Sequence, residues 1–185
     1  MSNTPSNMLP LGTKAPSFSL LDTISHVQVS LKDLKGEKGT LIIFICNHCP
    51  FVIHVIEKVV QLGREYQKKG IKTITISSND IVNYPQDAPD QMTKFAERYG
   101  FSFPYLYDET QEVAKSYQAA CTPDFFLFDK DLKLGYRGQF DDSRPGNGIP
   151  VTGKDLQSAM DELLEGKKIS THQKPSMGCN IKWKY

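Results

Sequence analysis

Short hydrophobic runs with the two-residue period of β-strands follow a polar N-terminal segment. Residues 17–21 and 26–31 alternate between apolar and polar side chains on either side of a polar break, which predicts a β-hairpin. The next run, TLIIFIC at residues 40–46, is continuously apolar and rich in residues that favour strands. Such a run is typical of a central strand that is buried on both faces of a sheet.

A helical period begins directly after this strand. From Pro50 to Gly70, apolar side chains recur every three or four positions with charged residues between them, which predicts an amphipathic helix. The run IKTITIS at residues 71–77 then predicts a second buried strand. A strand, a long helix and another strand of these lengths predict a right-handed βαβ unit.

The second half of the chain continues the alternation of helices and strands. Its patterns predict helices at residues 88–100, 110–119 and 152–166, a short strand at 103–108, and a hairpin made of 124–129 and 132–140. The segments at the two ends of the chain show neither the period of a strand nor that of a helix. We therefore expect a flexible N-terminal arm at residues 1–11, one domain at 12–166, and a C-terminal tail at 167–185 that packs on the domain.

Composition narrows the class of protein. The chain has 185 residues, 39% of them hydrophobic, which is enough for one domain core. Its 22 basic and 21 acidic residues leave a net charge of +1, so neither nucleic acid nor an anionic membrane is expected as a partner. No apolar run approaches the length of a membrane span and the N-terminus lacks the pattern of a signal peptide. We expect a soluble protein of the cytoplasm.

Two of the four cysteines, Cys46 and Cys49, form a CxxC motif at the predicted strand-to-helix turn. Backbone N–H groups and the helix dipole favour a thiolate at such a position, and we expect Cys46, just before the helix, to gain most from them. The two-residue spacing lets both sulfurs lie on one turn. One thiolate can then attack an external disulfide or peroxide and the other can resolve the product. His48, between them, would stabilise a thiolate further and tune the reduction potential.

Three other interpretations of the CxxC pair remain open. A structural zinc site usually needs four ligands, and CxxC supplies two, while Cys121 and Cys179 stand alone in the sequence. A copper site could combine the two cysteines with His48 or His54, because thiolates suit Cu(I). The pair could also be inert, since unpaired cysteines are often buried in cores.

The stretch CTPDFFLFD places Pro123 at the entrance to an apolar strand. If the Thr122–Pro123 bond is cis, the backbone turns sharply and can position an extended substrate beside the CxxC motif. A trans proline that only opens the strand is the alternative. Cys121, directly before Thr122, and Cys179 in the tail are candidate accessory thiols.

The order of these elements resembles the thioredoxin fold. The motifs GxxAPxFxL at Gly12–Leu20 and FxCxxCP at Phe44–Pro50 resemble the peroxiredoxin-like redoxins, the alkyl hydroperoxide reductase and thiol-specific antioxidant group. Together with PSMGCNIKWK in the tail, they are similar to a subgroup that carries a thioredoxin-type CxxC. The resemblance extends from Gly12 to Lys184. It implies an α/β, thioredoxin-like fold with an N-terminal β-hairpin and a central mixed sheet flanked by helices.

Carried over by motif, Cys46 matches the attacking cysteine of thioredoxin and Pro123 matches its cis-proline. Cys49 matches both the resolving cysteine of thioredoxin and the peroxidatic cysteine of peroxiredoxins. The hydroxyl residue that peroxiredoxins place three positions earlier is here Cys46, and their arginine is replaced by the Thr122–Pro123 region. Without those donors, polarisation of a peroxide bond is weak.

The resemblance therefore implies a thiol–disulfide oxidoreductase in which Cys46 attacks, Cys49 resolves and His48 tunes the potential, while Thr122 and Pro123 position the substrate. A weak thiol-dependent peroxidase with Cys49 as its peroxidatic cysteine is one alternative. A copper-binding or redox-sensing module without turnover is another. The expected partners are a protein or low-molecular-weight disulfide, or a peroxide, and an unidentified thiol as electron donor. No cofactor is expected.

Overall fold

A seven-stranded mixed sheet forms the centre of the computed structural model, which describes residues 3–185. The strands are β1 (Asn3–Pro5), β2 (Ser19–Asp22), β3 (Gln28–Ser30), β4 (Gly39–Phe44), β5 (Ile71–Ser77), β6 (Tyr105–Tyr107), β7 (Cys121–Thr122), β8 (Asp124–Asp129), β9 (Leu134–Tyr136) and β10 (Met177–Asn180). The helices are α1 (Leu31–Leu34), α2 (Pro50–Gln67), α3 (Pro89–Tyr99), α4 (Glu112–Ser116) and α5 (Lys154–Leu164), with a short 3-10 helix at Pro85–Asp87.

The order of strands in the central sheet is β3-β2-β6-β5-β4-β8-β9. Strand β4 runs parallel to β5 and antiparallel to β8, and the predicted hairpins β2–β3 and β8–β9 are both antiparallel. All six residues of β4 are buried, as its continuous apolar run predicts. The unit β4–α2–β5 and the helix-flanked mixed sheet, a thioredoxin-like arrangement, are confirmed.

Side chains of β4 alternate between two cores, one on each face of the sheet. Leu41 and Ile43 belong to the core that also buries α2, α3 and α5. Ile42 and Phe44 belong to the opposite core, which includes Phe18 and residues of α4. Helix α2, the longest, lies over the first core. None of the helices described is both long enough and apolar enough to cross a membrane.

A second sheet has the order β1-β10-β7 and joins the two ends of the chain. Strand β10 pairs antiparallel with β1 on one side, Asn3 opposite Cys179, and with β7 on the other, Cys179 opposite Thr122. Where the sequence predicts a flexible arm and an aperiodic tail, the structure therefore has two strands. Met1 and Ser2, at the start of the predicted arm, lie outside the described residues. The predicted domain boundaries stay predictions.

The Thr122–Pro123 bond, between β7 and β8, is cis. Strand β10 passes so close to this point that a Cβ atom on Gly178 would lie 2.0 Å from the carbonyl oxygen of Thr122. Only glycine leaves room for that approach, because the obstructing atom belongs to the backbone and cannot rotate away. Gly178 thus fixes the distance between the C-terminal strand and Thr122.

Replacing Gly178 with alanine is expected to lower the free energy of unfolding by about 3 kcal/mol, the upper end of the usual cost of overpacking. The new methyl group can be accommodated only by moving the backbone of β7 or β10. Gly146→Ala is the control: Gly146 has φ of 81° and no atom within 4 Å of an added Cβ. It should cost about 1 kcal/mol, for the left-handed conformation alone. Denaturant unfolding that finds equal losses for both variants would contradict the close approach.

Candidate active site

The two cysteines of the CxxC motif lie on the turn between β4 and α2. Cys49 is the N-cap residue of α2 and Pro50 is its first helical residue. Cys49 lies where the first-turn N–H groups have no intrahelical partner and the positive end of the helix dipole is strongest. Both side chains are buried, with 1% of Cys46 and 0% of Cys49 exposed. No disulfide joins the four cysteines, all of which belong to the described part of the chain.

Thr122 contacts both sulfurs from the opposite side. Its hydroxyl oxygen lies 3.6 Å from Sγ of Cys46, and its carbonyl oxygen lies 3.2 Å from Sγ of Cys49. The structure therefore brings together four residues that the sequence predicts for the site, namely Cys46, Cys49, Thr122 and the adjoining Pro123.

The two thiols differ in acidity because they share hydrogen bonds and charge unequally. A hydrogen bond from the Cys46 thiol lowers the pKa of Cys49 to about 5, against the effect of burial, and bonds from Cys179 and the Val52 N–H act in the same direction. The pKa of Cys46 is raised well above its ordinary value, first by that bond to Cys49, then by burial and by the charge of Asp87. The pair thus holds one proton between two sulfurs, with the negative charge on Cys49. The expectation that Cys46 gains most from the helix N-terminus is wrong, because Cys49 is the N-cap residue and Cys46 lies beside the charge of Asp87.

A buried carboxylate, Asp87, holds the residues between the two cysteines in place. Its Oδ1 accepts a hydrogen bond from the backbone N–H of Asn47 at 2.8 Å, and its Oδ2 accepts one from the amide of Asn79 at 2.9 Å. Nδ1 of His48 lies 2.7 Å from Oδ2 of the same carboxylate. The His48 ring also stacks on Tyr84, with 5.7 Å between the ring centroids. His48 is therefore oriented by Asp87.

Cys46, His48 and Asp87 are also a group of metal-ligand side chains, with one ligand atom from each lying within 4.8 Å of the others. Asp87 accepts hydrogen bonds from Asn47 and Asn79 and faces His48, and these contacts account for its position beside the CxxC turn. His54, which the copper interpretation could include, is instead 2.7 Å from the hydroxyl of Ser143.

The two candidate accessory thiols have different surroundings. The Cys121 thiol bonds to the carbonyl of Pro123 at 3.6 Å, and burial raises its pKa far above the ordinary value. Cys179 lies opposite Thr122 in the small sheet and forms a hydrogen bond with Cys49. Burial, followed by that bond, raises the pKa of Cys179 to about 12. Of the two, Cys179 is the one that reaches the redox pair.

Sequence reasoning missed two buried carboxyl groups beside the site. Asp87 lies in the polar loop between β5 and α3, and the only signal was the position of that loop at the carboxyl end of a strand, where open sheets carry their sites. Asp124 begins β8 next to Pro123 and accepts a hydrogen bond from the N–H of Ala120 at 3.1 Å. Burial raises the pKa of Asp124 to about 6. Its charge contributes to the raised pKa of Cys121.

Comparison with known families gives a match that agrees with this geometry. The profile of the AhpC/TSA family matches residues 11–137. Among curated proteins, the chain is 30% identical over 127 residues to the thiol-disulfide oxidoreductase ResA of Bacillus thuringiensis (strain Al Hakam), covering 68% of each chain. It is 25% identical over 157 residues to peroxiredoxin Bcp of Escherichia coli (strain K12), covering 76% of this chain and 91% of that protein.

A solved structure matches nearly the whole length. The crystal structure of an uncharacterized conserved protein from Geobacillus kaustophilus superposes with a TM-score of 0.98 at 57% sequence identity, and the match covers 100% of this chain and 97% of that one. The strand arrangement at both ends of the chain therefore belongs to a fold that is already known from experiment.

Replacing Asp87 with asparagine is expected to lower the pKa of Cys46, because it removes a buried negative charge that disfavours the thiolate. The pH dependence of Cys46 alkylation, located by mass spectrometry in the reduced protein, should shift about one pH unit or more to the acidic side. Asp90→Asn, which removes an exposed carboxylate from the start of α3, is the control and should leave the profile in place. An unchanged or alkaline-shifted profile for Asp87→Asn would refute the assigned role of this charge.

Proposed function

The chain belongs to the AhpC/TSA family, and on this basis we propose that it is a thiol–disulfide oxidoreductase with Cys46 and Cys49 as its redox pair. One observation carries the proposal: the sulfurs of Cys46 and Cys49 both contact Thr122 at the N-terminus of α2. The lowered pKa of Cys49 beside the raised pKa of Cys46 supports it. Such a pair holds a thiolate near neutral pH and keeps its second sulfur close enough to close a disulfide.

In the proposed cycle, Cys46 attacks the substrate. Transfer of its proton to Cys49 gives the Cys46 thiolate, which attacks one sulfur of a substrate disulfide and releases the other as a thiolate. The hydroxyl of Thr122 supports this step, because a hydrogen bond to Cys46 favours its charged form. His48, oriented by Asp87, tunes the potential of the pair.

The second step resolves the mixed disulfide. Cys49, deprotonated again, attacks the sulfur of Cys46, so the Cys46–Cys49 bond forms and the bond to the substrate breaks. The substrate leaves as a thiol after taking up a proton, and two electrons have moved from the protein to the substrate. The substrate is a protein or low-molecular-weight disulfide, and an external thiol returns the pair to its reduced state. Location in the cytoplasm, expected from the sequence, stays a prediction.

A peroxidase is the second candidate, and the lowered pKa of Cys49 is the observation that favours it. A Cys49 thiolate could attack a peroxide to give a sulfenic acid, which the Cys46 thiol would convert into the disulfide with loss of water. The replacement of the peroxide-polarising residues of peroxiredoxins by Cys46 and the Thr122–Pro123 region argues against efficient turnover. In the described part of the chain, Cys49 interacts with Cys46, Cys179 and Thr122, and no arginine hydrogen bonds to it.

The reductase assignment predicts that the protein catalyses reduction of insulin disulfides by dithiothreitol. Cys46→Ser and Cys49→Ser should each lower the rate by at least about 100-fold, because each removes one of two obligatory sulfurs. Cys49→Ser should retain a substrate as a stable mixed disulfide on Cys46, whereas Cys46→Ser should not. Cys121→Ser is the matched control, since it removes a buried thiol that bonds to a backbone carbonyl.

The same variants separate the alternatives. A mixed disulfide trapped on Cys49 by Cys46→Ser would assign the attack to Cys49. Consumption of hydrogen peroxide that depends on Cys49, without any insulin reduction, would replace the reductase by the peroxidase. Full insulin reduction by either single variant would exclude the pair as the redox centre.

A further inference from the structure

We propose that Cys179 is a third redox thiol, which takes over the disulfide bond to Cys49 from Cys46. The proposal rests on the function proposed above, because the oxidation enters the protein as the Cys46–Cys49 disulfide. It assigns a chemical role to the C-terminal strand, in addition to its place in the small sheet.

The register of the small sheet brings the Cys179 side chain to the redox pair. Cys179 lies directly opposite Thr122 in the antiparallel pairing of β10 with β7. Directly opposed residues of an antiparallel pair project from the same face of a sheet. The Thr122 hydroxyl lies 3.6 Å from Sγ of Cys46, so the face that carries Cys179 is the one that meets the CxxC turn.

Burial and packing agree with the register. Cys179 is 2% exposed and belongs to the same buried cluster as Cys46 and Cys49. Its hydrogen bond with Cys49 means that Cys49 has a cysteine thiol on either side, Cys46 in its own turn and Cys179 in β10. Cys121 is excluded from this arrangement. It neighbours Thr122 along β7, so its side chain projects from the other face, and it bonds to the carbonyl of Pro123.

The exchange needs no further oxidant. After one catalytic turn, the thiolate of Cys179 attacks the Cys49 sulfur of the Cys46–Cys49 disulfide. The Cys49–Cys179 bond forms, the Cys46–Cys49 bond breaks, and Cys46 leaves as a thiolate that takes up the proton released by Cys179. The protein remains oxidised by two electrons throughout. Only the position of the disulfide changes.

The exchange changes what the oxidised protein can do. Cys46 becomes a thiol again, while its resolving partner is held by β10. The protein can then capture a second substrate disulfide on Cys46 without resolving it. The new bond also links the C-terminal strand covalently to the start of α2. Because the pKa of Cys179 is raised to about 12, its thiolate fraction and therefore the exchange rate should increase as the pH rises above neutral.

Peptide mapping after mild oxidation tests the proposal. The Cys46→Ser variant is oxidised with diamide, digested with trypsin without reduction, and analysed by mass spectrometry. Trypsin places the three remaining cysteines on three separate peptides. Lys174 is followed by proline and resists cleavage, so the peptide with Cys179 begins at residue 169. The expected cysteine peptides are 39–58 with Cys49, 116–130 with Cys121 and 169–182 with Cys179.

We expect peptide 39–58 linked to peptide 169–182. The link should persist when Cys121→Ser is added to Cys46→Ser and should disappear when Cys179→Ser is added. Wild-type protein oxidised with glutathione disulfide provides a measurement that needs no variant: the Cys49–Cys179 bond should form faster at pH 9 than at pH 7. A Cys46→Ser variant with native circular dichroism that forms no such link, or that links Cys49 to Cys121, overturns the proposal.

Failure of this inference can be distinguished from failure of the proposed function. If the wild-type protein reduces insulin and forms the Cys46–Cys49 disulfide while no Cys49–Cys179 link appears, the inference fails and the function stands. If Cys46→Ser forms the link but the wild-type protein reduces no disulfide, the proposed function fails and the three-thiol cluster stands.

Discussion

The contacts of Thr122 with the two sulfurs are the interaction on which the rest of the site depends. Its hydroxyl meets Cys46, its carbonyl meets Cys49, and its strand pairs with β10, which carries Cys179. One residue therefore links the CxxC turn to the C-terminal strand. The absence of a side chain at Gly178 allows the backbone of β10 to approach Thr122 this closely.

The electrostatics of the pair follow from where each sulfur lies. Cys49 lies at the N-terminus of α2, where hydrogen-bond donors and the helix dipole favour negative charge. Cys46 lies beside the buried charge of Asp87, which opposes ionisation. In the reduced protein the negative charge is thus on Cys49, which matches the resolving cysteine of thioredoxin. A charge on Cys49 is compatible with attack by Cys46, because the two hydrogen-bonded sulfurs share one proton. Moving that proton from Cys46 to Cys49 makes Cys46 the nucleophile without a change in total charge.

Local sequence patterns were enough to predict the strand and the helix that position the CxxC motif. The continuous apolar run of β4 and the helical period after Pro50 depend on neighbours in sequence, and the structure has both as expected. The residues alone left the Thr122–Pro123 bond open between cis and trans, and it is cis. What could not be predicted depends on pairing between distant short segments. Strand β1 meets β10 across almost the whole chain, and neither has an apolar period of its own. The contact of Cys179 with Cys49 follows from the pairing of β10 with β7, and the burial of Asp87 follows from the path of a loop.

The most direct test of this account is the redox equilibrium of the wild-type protein in glutathione buffers of graded composition. Samples are quenched by alkylation and their disulfides are mapped by mass spectrometry. The account predicts one reversible two-electron transition in which Cys49 is lost from the alkylated pool together with Cys46, or with Cys179 where the bond has moved to β10. A protein whose Cys46 and Cys49 remain alkylated as separate thiols in the most oxidising buffer would contradict it.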